Sequence, residues 1–409
     1  MDITTKLIHG DILNRDSYNS LRFPIYDSVA FEFGSANEME NAFLGRSPSY
    51  FYSRISNPTV SELERIITVA TDAYGAIALS SGMAAIANTL MSIGGKSANF
   101  ITSSYLFGNT YSLFDKTFRR FGLVPKYVDL FDIEKVQESI DENTIAIFFE
   151  VITNPQLVVF DVEGIVNVAK RNNLITIADT TIPTFYLFSS KKWNVDIEVI
   201  STTKAISGGA TSVGGVIIDY GTYDWSKNKF LREDYEKYGK GAFLMKLKKE
   251  VYRNIGACMS PHNAYLNILG LETLPLRVKT SSTNALAISK ELSNHKKIKS
   301  VNYPGLETSK FYRNAQKFLN GYYGSIFTIE LESKELAFKF INNLKLCRRA
   351  TNIYDNKTLV IHPSSTIFCE YSSDKKLELG VTEGMVRFSV GIEKPEDIYE
   401  DIIKALEVL

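Results

Sequence analysis

The sequence predicts an α/β fold, with a mostly parallel sheet covered by helices on both faces and a smaller α+β unit towards the C-terminal end. Two observations predict this class. Short apolar segments alternate with amphipathic helical patterns through the first half of the chain, which is typical of parallel sheets. The chain has 409 residues, enough for about two domains. We expect an N-terminal arm over 1–55, an α/β domain over 56–255 and an α+β domain over 256–409.

The N-terminal arm is rich in aromatic residues and turn formers and shows little regular periodicity. An apolar arm without a core of its own has to bury against another surface. A neighbouring subunit and the remainder of the same chain are both open as that surface. Asn57-Pro58-Thr59 is a turn and helix-start signal, and a helix with one apolar face is predicted from Thr59.

Seven apolar segments are predicted to form the strands of the main sheet: 76–79, 99–102, 124–130, 145–149, 174–178, 197–200 and 215–219. Helices are predicted after Ser81, through Phe114 and Phe118, and over 161–172. Ligands bind at the carboxyl ends of the strands in such sheets. Asn154, Asp179, Ser201 and Lys204 follow such ends, so we expect them to lie together.

The second half of the chain changes character. Residues 221–250 are charged and rich in lysine and tyrosine, and we expect a mobile or subunit-contacting loop there. A long helical stretch is predicted over 262–293. Strands at 325–332 and 385–390 and helices at 334–344 and 395–407 then build the α+β unit.

The composition excludes several classes of function. Lys plus Arg and Asp plus Glu are equal at 46 each, which argues against nucleic acid or an anionic membrane as the main partner. The three cysteines and four histidines lack the spacing of a metal site or a disulfide framework, so no metal is expected. The N-terminus lacks an apolar signal segment, and no apolar run approaches the ~20 residues of a membrane span. We expect a soluble cytoplasmic protein.

Lys204 is the candidate catalytic residue. It follows the buried strand 197–200, where desolvation lowers the pKa of an amine and makes it a nucleophile towards aldehydes. The hydroxyls of Ser201 and Thr203 suit a phosphate. Together they indicate a Schiff base with an aldehyde that carries a phosphate, namely pyridoxal 5'-phosphate. A lysine in a surface loop is the alternative from this segment alone.

Asp179 ends the predicted strand 174–178, and a carboxylate at a buried strand end needs a partner. The protonated ring nitrogen of a pyridine cofactor is one partner, because an anion there keeps the ring an electron sink. A helix N-cap is the alternative. Beside Lys204, the cofactor is the better interpretation.

Three further sites suit anions. Tyr52 and Arg54 present a phenol and a fixed cation in extended chain, and the small residues of Ser81-Gly82-Met83 open a helix whose N–H groups favour a phosphate. Arg387 lies in an apolar run, and a buried arginine needs an anion such as a substrate carboxylate. Surface or structural ion pairs are the alternatives for Tyr52, Arg54 and Arg387.

These residues stand in motifs that resemble those of the pyridoxal-phosphate enzymes of cysteine and methionine metabolism, the cystathionine γ-synthase-like family. The motifs are Pro24-Ile25-Tyr26, the run at 52–59, Ser81 to Ala85, Asn154-Pro155, Asp179-Thr180-Thr181, Ser201 to Lys204 and Val386 to Gly391. The resemblance runs over nearly the whole chain. It implies the aspartate-aminotransferase-like fold, fold type I, with 56–255 as the cofactor-binding domain.

The resemblance also implies a role for each site residue. Lys204 would form the Schiff base and move protons, and Asp179 would hold the ring nitrogen. The phosphate would be bound by Ser81, Gly82, Met83, Ser201 and Thr203, with Tyr52 and Arg54 from a neighbouring subunit. Phe107 would stack on the ring, Asn154 would lie near the ring hydroxyl, and Arg387 with Asn352 would bind the substrate carboxylate. The active site would need at least a dimer, and the family is usually tetrameric.

The C-terminal half looks most like O-acetylhomoserine sulfhydrylase, through 270–277 and 350–359. The implied reaction replaces the γ-acetate of O-acetylhomoserine by sulfide or a thiol. A γ-lyase acting on methionine or cystathionine, a specialised branch with another substrate, and a partner protein without turnover are the alternatives. Three positions depart from the family pattern: Phe107 for tyrosine, Asn109 for glycine or cysteine, and Tyr354 for glycine. We expect Tyr354 to narrow or reshape the substrate pocket.

Overall fold

The computed structural model describes residues 1–10 and 16–409 and contains two sheets. The main sheet has seven strands in the order β1-β7-β6-β5-β4-β2-β3, and the second has five in the order β10-β11-β12-β9-β8. The strands are β1 (Gly75–Leu79), β2 (Asn99–Thr102), β3 (Val124–Tyr127), β4 (Thr144–Glu150), β5 (Ile175–Asp179), β6 (Ile197–Ile200), β7 (Gly215–Asp219), β8 (Ser300–Asn302), β9 (Ile326–Glu330), β10 (Arg348–Arg349), β11 (Leu359–Ile361) and β12 (Met385–Ser389).

The α-helices alternate with these strands. They are α1 (Ile3–His9), α2 (Ala36–Phe43), α3 (Pro58–Thr71), α4 (Gly82–Ile93), α5 (Gly108–Ser112), α6 (Ile133–Glu138), α7 (Val162–Arg171), α8 (Thr184–Leu187), α9 (Arg232–Tyr238), α10 (Ala242–Lys246), α11 (Arg253–Ile255), α12 (Pro261–Glu272), α13 (Leu274–Leu292), α14 (Tyr312–Phe318), α15 (Lys334–Asn343), α16 (Ser373–Glu378) and α17 (Pro395–Glu407). Single π-helical turns continue α5 over Leu113–Phe118 and α10 over Leu247–Tyr252.

The main sheet is mostly parallel, as predicted. Strands β3, β2, β4, β5 and β6 run parallel, and β7 pairs antiparallel with both β6 and β1. Residues 146–149 of β4 alternate between two core clusters, with Phe149 in one and Phe148 in the other. A sheet buried on both faces needs apolar residues on both, which is why its strands read as continuous apolar runs.

The α+β unit has its own core between the second sheet and helices α13, α15 and α17. The central strand β12 pairs antiparallel with β9 and β11. The short strands β8, β10 and β11 were not predicted, because two or three residues carry too little periodicity to be recognised. The predicted α/β class with a smaller α+β unit is therefore confirmed.

The segment 221–250 is not the loop that we expected. It forms α9, α10 and a π-helical turn, and its apolar residues Trp225, Leu231 and Phe243 are fully buried against the main sheet. The charged residues lie between these anchors and cover the outer side. The composition of this segment did not indicate an apolar face, because its lysine and tyrosine residues outnumber the buried apolar residues.

Two other predicted elements differ in length. The helical stretch predicted over 262–293 is two helices, because Pro275 stands at the start of α13 and begins a second axis. Strand β3 ends at Tyr127, three residues before the predicted end, although Leu130 remains buried in the core.

The arm contains two helices that the sequence did not predict, α1 and α2, and it also carries exposed apolar side chains. Tyr18 and Leu21 are 90% and 103% exposed, and Phe43 is 64% exposed. Across 1–10 and 16–409 there is no helix with the length and apolarity of a membrane span.

Candidate active site

The carboxyl ends of β4, β5 and β6 meet at one edge of the main sheet, because these strands run parallel. A cavity of about 200 Å³ opens there. It is lined by Ser81, Gly82, Met83, Ile86, Phe107, Thr110, Glu150, Ile152, Asn154, Asp179, Thr181, Ile182, Ser201, Thr203, Lys204, Thr351 and Ile353. Nine of the predicted site residues are in this set: Ser81, Gly82, Met83, Phe107, Asn154, Asp179, Ser201, Thr203 and Lys204.

Lys204 follows β6 and begins the tight turn Ala205–Ser207. Its Nζ donates a hydrogen bond to Asn352 Oδ1 at 2.6 Å. Burial first, and the positive charge of Arg387 second, lower the pKa of the Lys204 amine to about 8. The amine is thereby closer to its neutral, nucleophilic form at neutral pH than an exposed lysine.

Asp179 is the last residue of β5, and its Oδ1 accepts the backbone N–H of Thr181 at 2.9 Å. Burial raises the pKa of this carboxyl to about 6. Asp179 does not cap a helix of the structure, and its side chain reaches the cavity. A partly buried carboxylate in this position favours a cationic partner within the cavity.

The N-terminus of α4 approaches the lysine strand closely. Ser81 caps the helix, with its Oγ accepting Ala84 N–H at 3.1 Å. A Cβ on Gly82 would lie 2.6 Å from Ser201 Cβ, so only glycine allows this approach. The first backbone N–H groups of α4 and the Ser201 side chain therefore border the same end of the cavity, where an anion is favoured. The Thr203 hydroxyl also lines the cavity and is held by Gly214, accepting its N–H at 3.0 Å.

Arg387 on β12 is buried, with 1% of its surface exposed, and lies behind the cavity wall. Nη1 donates to Asn154 Oδ1 at 3.0 Å, and Nη2 donates to the Asn352 carbonyl at 3.1 Å. Nε has no partner within the described chain. Burial lowers the pKa of the guanidinium to about 9. A buried cation without a carboxylate is suited to an anionic ligand.

Glu150, the last residue of β4, is a cavity residue that sequence reasoning did not assign. It accepts the backbone N–H of Phe107 at 2.6 Å. Burial first, and the like charge of Asp179 second, raise its pKa well above its usual range. The signal was present, because Glu150 ends a predicted strand as Asp179 does. Thr110, Thr181 and the isoleucines of the cavity wall gave no comparable signal.

Tyr52 and Arg54 are not among the residues that line the cavity of their own chain. Tyr52 is 39% exposed, and Arg54 lies 5.3 Å from the Tyr52 ring and donates to the Arg253 carbonyl at 2.5 Å. The pair lies side by side, as expected, but away from Lys204 within this chain.

The expected effect of Tyr354 on the pocket is wrong. Its side chain is 4% exposed, packs in the core and does not line the cavity, whereas the preceding Ile353 does. Tyr354 has φ +56°, a left-handed backbone conformation that glycine adopts without strain. Asn109 lies on a neighbouring groove that shares Met83 with the cavity.

The residues at the cavity fit pyridoxal phosphate. The helix N-terminus and the Ser201 hydroxyl suit the phosphate, Lys204 suits the aldehyde, and Asp179 suits the ring nitrogen. The unpartnered Nε of Arg387 suits the carboxylate of an amino acid.

The family of Cys/Met metabolism PLP-dependent enzymes matches residues 4–407, and the chain belongs to this family. It is therefore an enzyme that uses pyridoxal phosphate. The fold agrees with this assignment. A similar structure is that of a protein described as an O-acetylhomoserine (thiol)-lyase from Campylobacter jejuni, which carries a pyridoxyl-lysine monophosphate. It superposes on this chain with a TM-score of 0.95. That protein is 30% identical, with 100% of each chain covered. The predicted fold type I is confirmed.

Two other similar proteins are sulfhydrylases. An O-acetyl-L-homoserine sulfhydrylase from Corynebacterium glutamicum is 36% identical, with 97% of this chain and 95% of the relative covered. The structure of O-acetylhomoserine sulfhydrylase from the methionine biosynthetic pathway of Wolinella succinogenes is 46% identical. It has a TM-score of 0.79, with 86% of this chain and 97% of that chain covered.

Proposed function

We propose that this enzyme replaces the γ-acetate of O-acetylhomoserine by sulfide or a thiol, giving homocysteine or methionine. The observation that carries the proposal is the similarity over nearly full length to sulfhydrylases of O-acetylhomoserine. The site supports it, because a low-pKa lysine and a carboxylate line one cavity and a buried arginine lies behind its wall.

Each of these residues has a definite task in the proposed reaction. Arg387 binds the substrate carboxylate with Asn352, which orients the amino acid along the cavity. Lys204 removes the proton from Cα, and its lowered pKa makes it an effective base near neutral pH. Pyridoxal phosphate supplies the electron sink that accepts the negative charge from Cα. Asp179 would keep the ring nitrogen protonated, and Phe107, which also lines the cavity, would cover the ring.

The reaction balances without an oxidant or a reductant. The Cγ–O bond of O-acetylhomoserine breaks, and acetate leaves with the electron pair. A Cγ–S bond forms with hydrogen sulfide, which loses one proton to the medium. Proton removal from Cβ, after that from Cα, is needed before the acetate can depart, and both protons return to the product.

The test combines purified holoenzyme, O-acetylhomoserine and sulfide, with homocysteine and acetate as the measured products. We expect both products in equal amounts and none without a sulfur nucleophile. Formation of 2-oxobutyrate and ammonia without a nucleophile would favour the lyase alternative. Absence of product with both sulfide and methanethiol would contradict the proposed reaction.

We further propose that the enzyme is a homotetramer of site-sharing dimers, in which Tyr52 and Arg54 complete the phosphate site of a neighbouring subunit. Their position outside the cavity of their own chain and the exposed apolar arm support this arrangement. The division into an arm (1–55), a cofactor domain (56–255) and a C-terminal domain (256–409) belongs to the same proposal, as does a cytoplasmic location.

A further inference from the structure

Glu150 and Asp179 form a pair of neighbouring carboxyls at the cavity. They are the last residues of β4 and β5, and these parallel strands pair them directly. Phe148 and Ile177, two residues earlier on each strand, are buried in the same core cluster. Because side chains alternate along a strand, Glu150 and Asp179 extend from the same face of the sheet.

The Glu150 carboxyl joins two loops that border the cavity. Phe107 N–H donates to its Oε1 at 2.6 Å, and the backbone N–H of Asn154 lies near the same carboxyl and favours its charge. Phe107 precedes α5, and its own side chain makes no capping hydrogen bond. The start of that helix is therefore held by Glu150 and not by a local cap.

The contact to Asn154 extends the influence of Glu150 across the cavity. Asn154 Oδ1 accepts from Arg387 Nη1 at 3.0 Å, so the loop that Glu150 holds also orients the buried guanidinium. Phe107 and Asn154 lie on different loops, separated by more than forty residues of sequence. A single carboxyl thus links the ring-facing aromatic residue to the residue that orients Arg387.

The charge of the pair is divided unequally. Two close buried carboxylates do not ionise together without a large cost. No ion pair of the described chain includes Glu150, and burial with the like charge of Asp179 raises its pKa well above the usual range. Burial also raises the pKa of Asp179, to about 6. Glu150 has 5% of its surface exposed, whereas Asp179 is only partly buried and borders the cavity, so the geometry favours the proton on Glu150 and the negative charge on Asp179.

We propose that Glu150 is a positioning residue of the cofactor site, an uncharged carboxyl that fixes the Phe107 and Asn154 loops and leaves the negative charge of the pair on Asp179. The inference rests on the cofactor pocket of the proposed function, but it is independent of the substrate. It explains why a carboxyl without any cationic partner is buried at this strand end.

Glu150→Gln and Glu150→Met separate the two parts of the proposal. Glutamine keeps the shape, the acceptor oxygen and the absence of charge, whereas methionine keeps the volume and removes the acceptor. Glu198→Gln is the matched control, because Glu198 is also a buried strand carboxyl but accepts from Thr180 and Tyr220 and does not line the cavity. The measurements are the dissociation constant of pyridoxal phosphate from each protein and the visible circular dichroism of the bound cofactor.

We expect Glu150→Gln and Glu198→Gln to keep the wild-type dichroism and affinity. We expect Glu150→Met to bind pyridoxal phosphate about tenfold more weakly, as for the loss of one buried hydrogen bond, with a changed dichroism. If Glu150→Gln shows the weakened affinity and changed dichroism expected of Glu150→Met, the proposal that Glu150 is uncharged is wrong. If Glu150→Met keeps the wild-type affinity and dichroism, the proposed positioning role is wrong.

If Glu150→Met does not fold, Glu150→Gln still decides the question of charge, and Glu150→Ala takes the place of methionine. Thermal unfolding of each protein identifies a folding defect. Failure of the proposed reaction can be distinguished from failure of the Glu150 inference. In that case the wild-type holoenzyme would show its normal dichroism but form no homocysteine.

Discussion

Asp179 is partly buried at the cavity and Arg387 is fully buried behind its wall, and neither has a charged partner of opposite sign in the described chain. Burial raises the pKa of the Asp179 carboxyl to about 6 and lowers that of the Arg387 guanidinium to about 9. Each shift has the same origin, because a low-dielectric surrounding disfavours the charged form. The protein therefore holds two charges of opposite sign ready for ligands at a cost in its own stability.

Asp179→Asn tests that cost. An unfolded aspartate ionises with a pKa near 4, whereas the folded-state pKa is about 6, so at pH 7 the folded apoprotein carries a disfavoured anion. We expect the asparagine variant to raise the unfolding free energy of the apoprotein at pH 7 by about 1–2 kcal/mol.

The stability difference between the Asp179→Asn variant and the wild type should depend on pH. The destabilisation by ionised Asp179 is absent below pH 4 and grows as the pH rises through 6. The higher unfolding free energy of the Asp179→Asn variant should therefore disappear in acid. Thermal unfolding of both apoproteins between pH 4 and 8 measures it, and cofactor affinity of the variant should fall in the same samples. A variant that is less stable than wild type at pH 7 would contradict this account.

Arg387→Lys tests the carboxylate site. Lysine keeps the charge but loses the fork that contacts Asn154 and the Asn352 carbonyl. We expect KM for the amino acid to rise by about 30-fold or more, corresponding to about 2 kcal/mol, with a smaller change in kcat. Steady-state kinetics and the visible spectrum of the cofactor are the measurements. A fall in kcat with unchanged KM would place the role of Arg387 elsewhere.

At the scale of elements, the junction of α12 and α13 holds the lysine turn. Arg277 on α13 donates from Nη1 to the Ala205 carbonyl and from Nη2 to the Gly270 carbonyl, each at 2.6 Å. Gly270 on α12 packs directly against the turn, where a Cβ would lie 2.0 Å from the Ile206 carbonyl oxygen. The backbone around Lys204 is thus fixed by a helix pair distant in sequence.

Gly270→Ala should separate this helix pair from the lysine turn. The clash is with backbone, which cannot move aside as a side chain can, so we expect a loss of about 2–4 kcal/mol in unfolding free energy. We also expect weaker cofactor binding, measured by titration of the apoprotein.

Leu276→Ala is the control, because Leu276 lies on the neighbouring helix α13 with 66% of its surface exposed. It should change both quantities little. A Gly270→Ala protein as stable as the control would contradict this account, because the backbone of the turn after Lys204 would then be able to shift and accommodate the added methyl group.

At the scale of the whole molecule, two sheets of different topology meet at the site. The main sheet supplies Lys204, Asp179 and Asn154 near its carboxyl edge, and β12 of the second sheet supplies Arg387. Tyr52 and Arg54 lie outside this cavity, near the end of the N-terminal arm (1–55), which carries exposed apolar side chains. The proposed site-sharing dimer makes a distinct prediction.

Mixed oligomers of Lys204→Ala and Arg54→Ala subunits should regain activity. If sites are shared, each hybrid dimer has one site with both native residues, so it should reach about half of wild-type activity per dimer. Co-expression with two affinity tags isolates the hybrid.

The control mixes Lys204→Ala with Arg387→Ala, whose residues belong to the cavity of one chain. No hybrid site is then intact, and no activity should return. Equal behaviour of the two hybrids would contradict a shared site.

The sequence by itself determined the fold class, most strand positions and nine of the residues that line the cavity. Apolar runs such as 197–200 must be buried, and a parallel sheet brings the residues after such runs to one edge. The sequence alone therefore predicts that the polar residues Asp179, Ser201 and Lys204 lie close together.

Only the tertiary structure decided which side chains touch across the chain. The acceptor of Lys204 is Asn352, the partner of Glu150 is the backbone of Phe107, and Tyr354 turns into the core and leaves the cavity wall to Ile353. The apolar anchors of 221–250 were likewise visible only in their packing. Contacts between residues far apart in sequence depend on the packing of whole elements, and local periodicity carries no information about that packing.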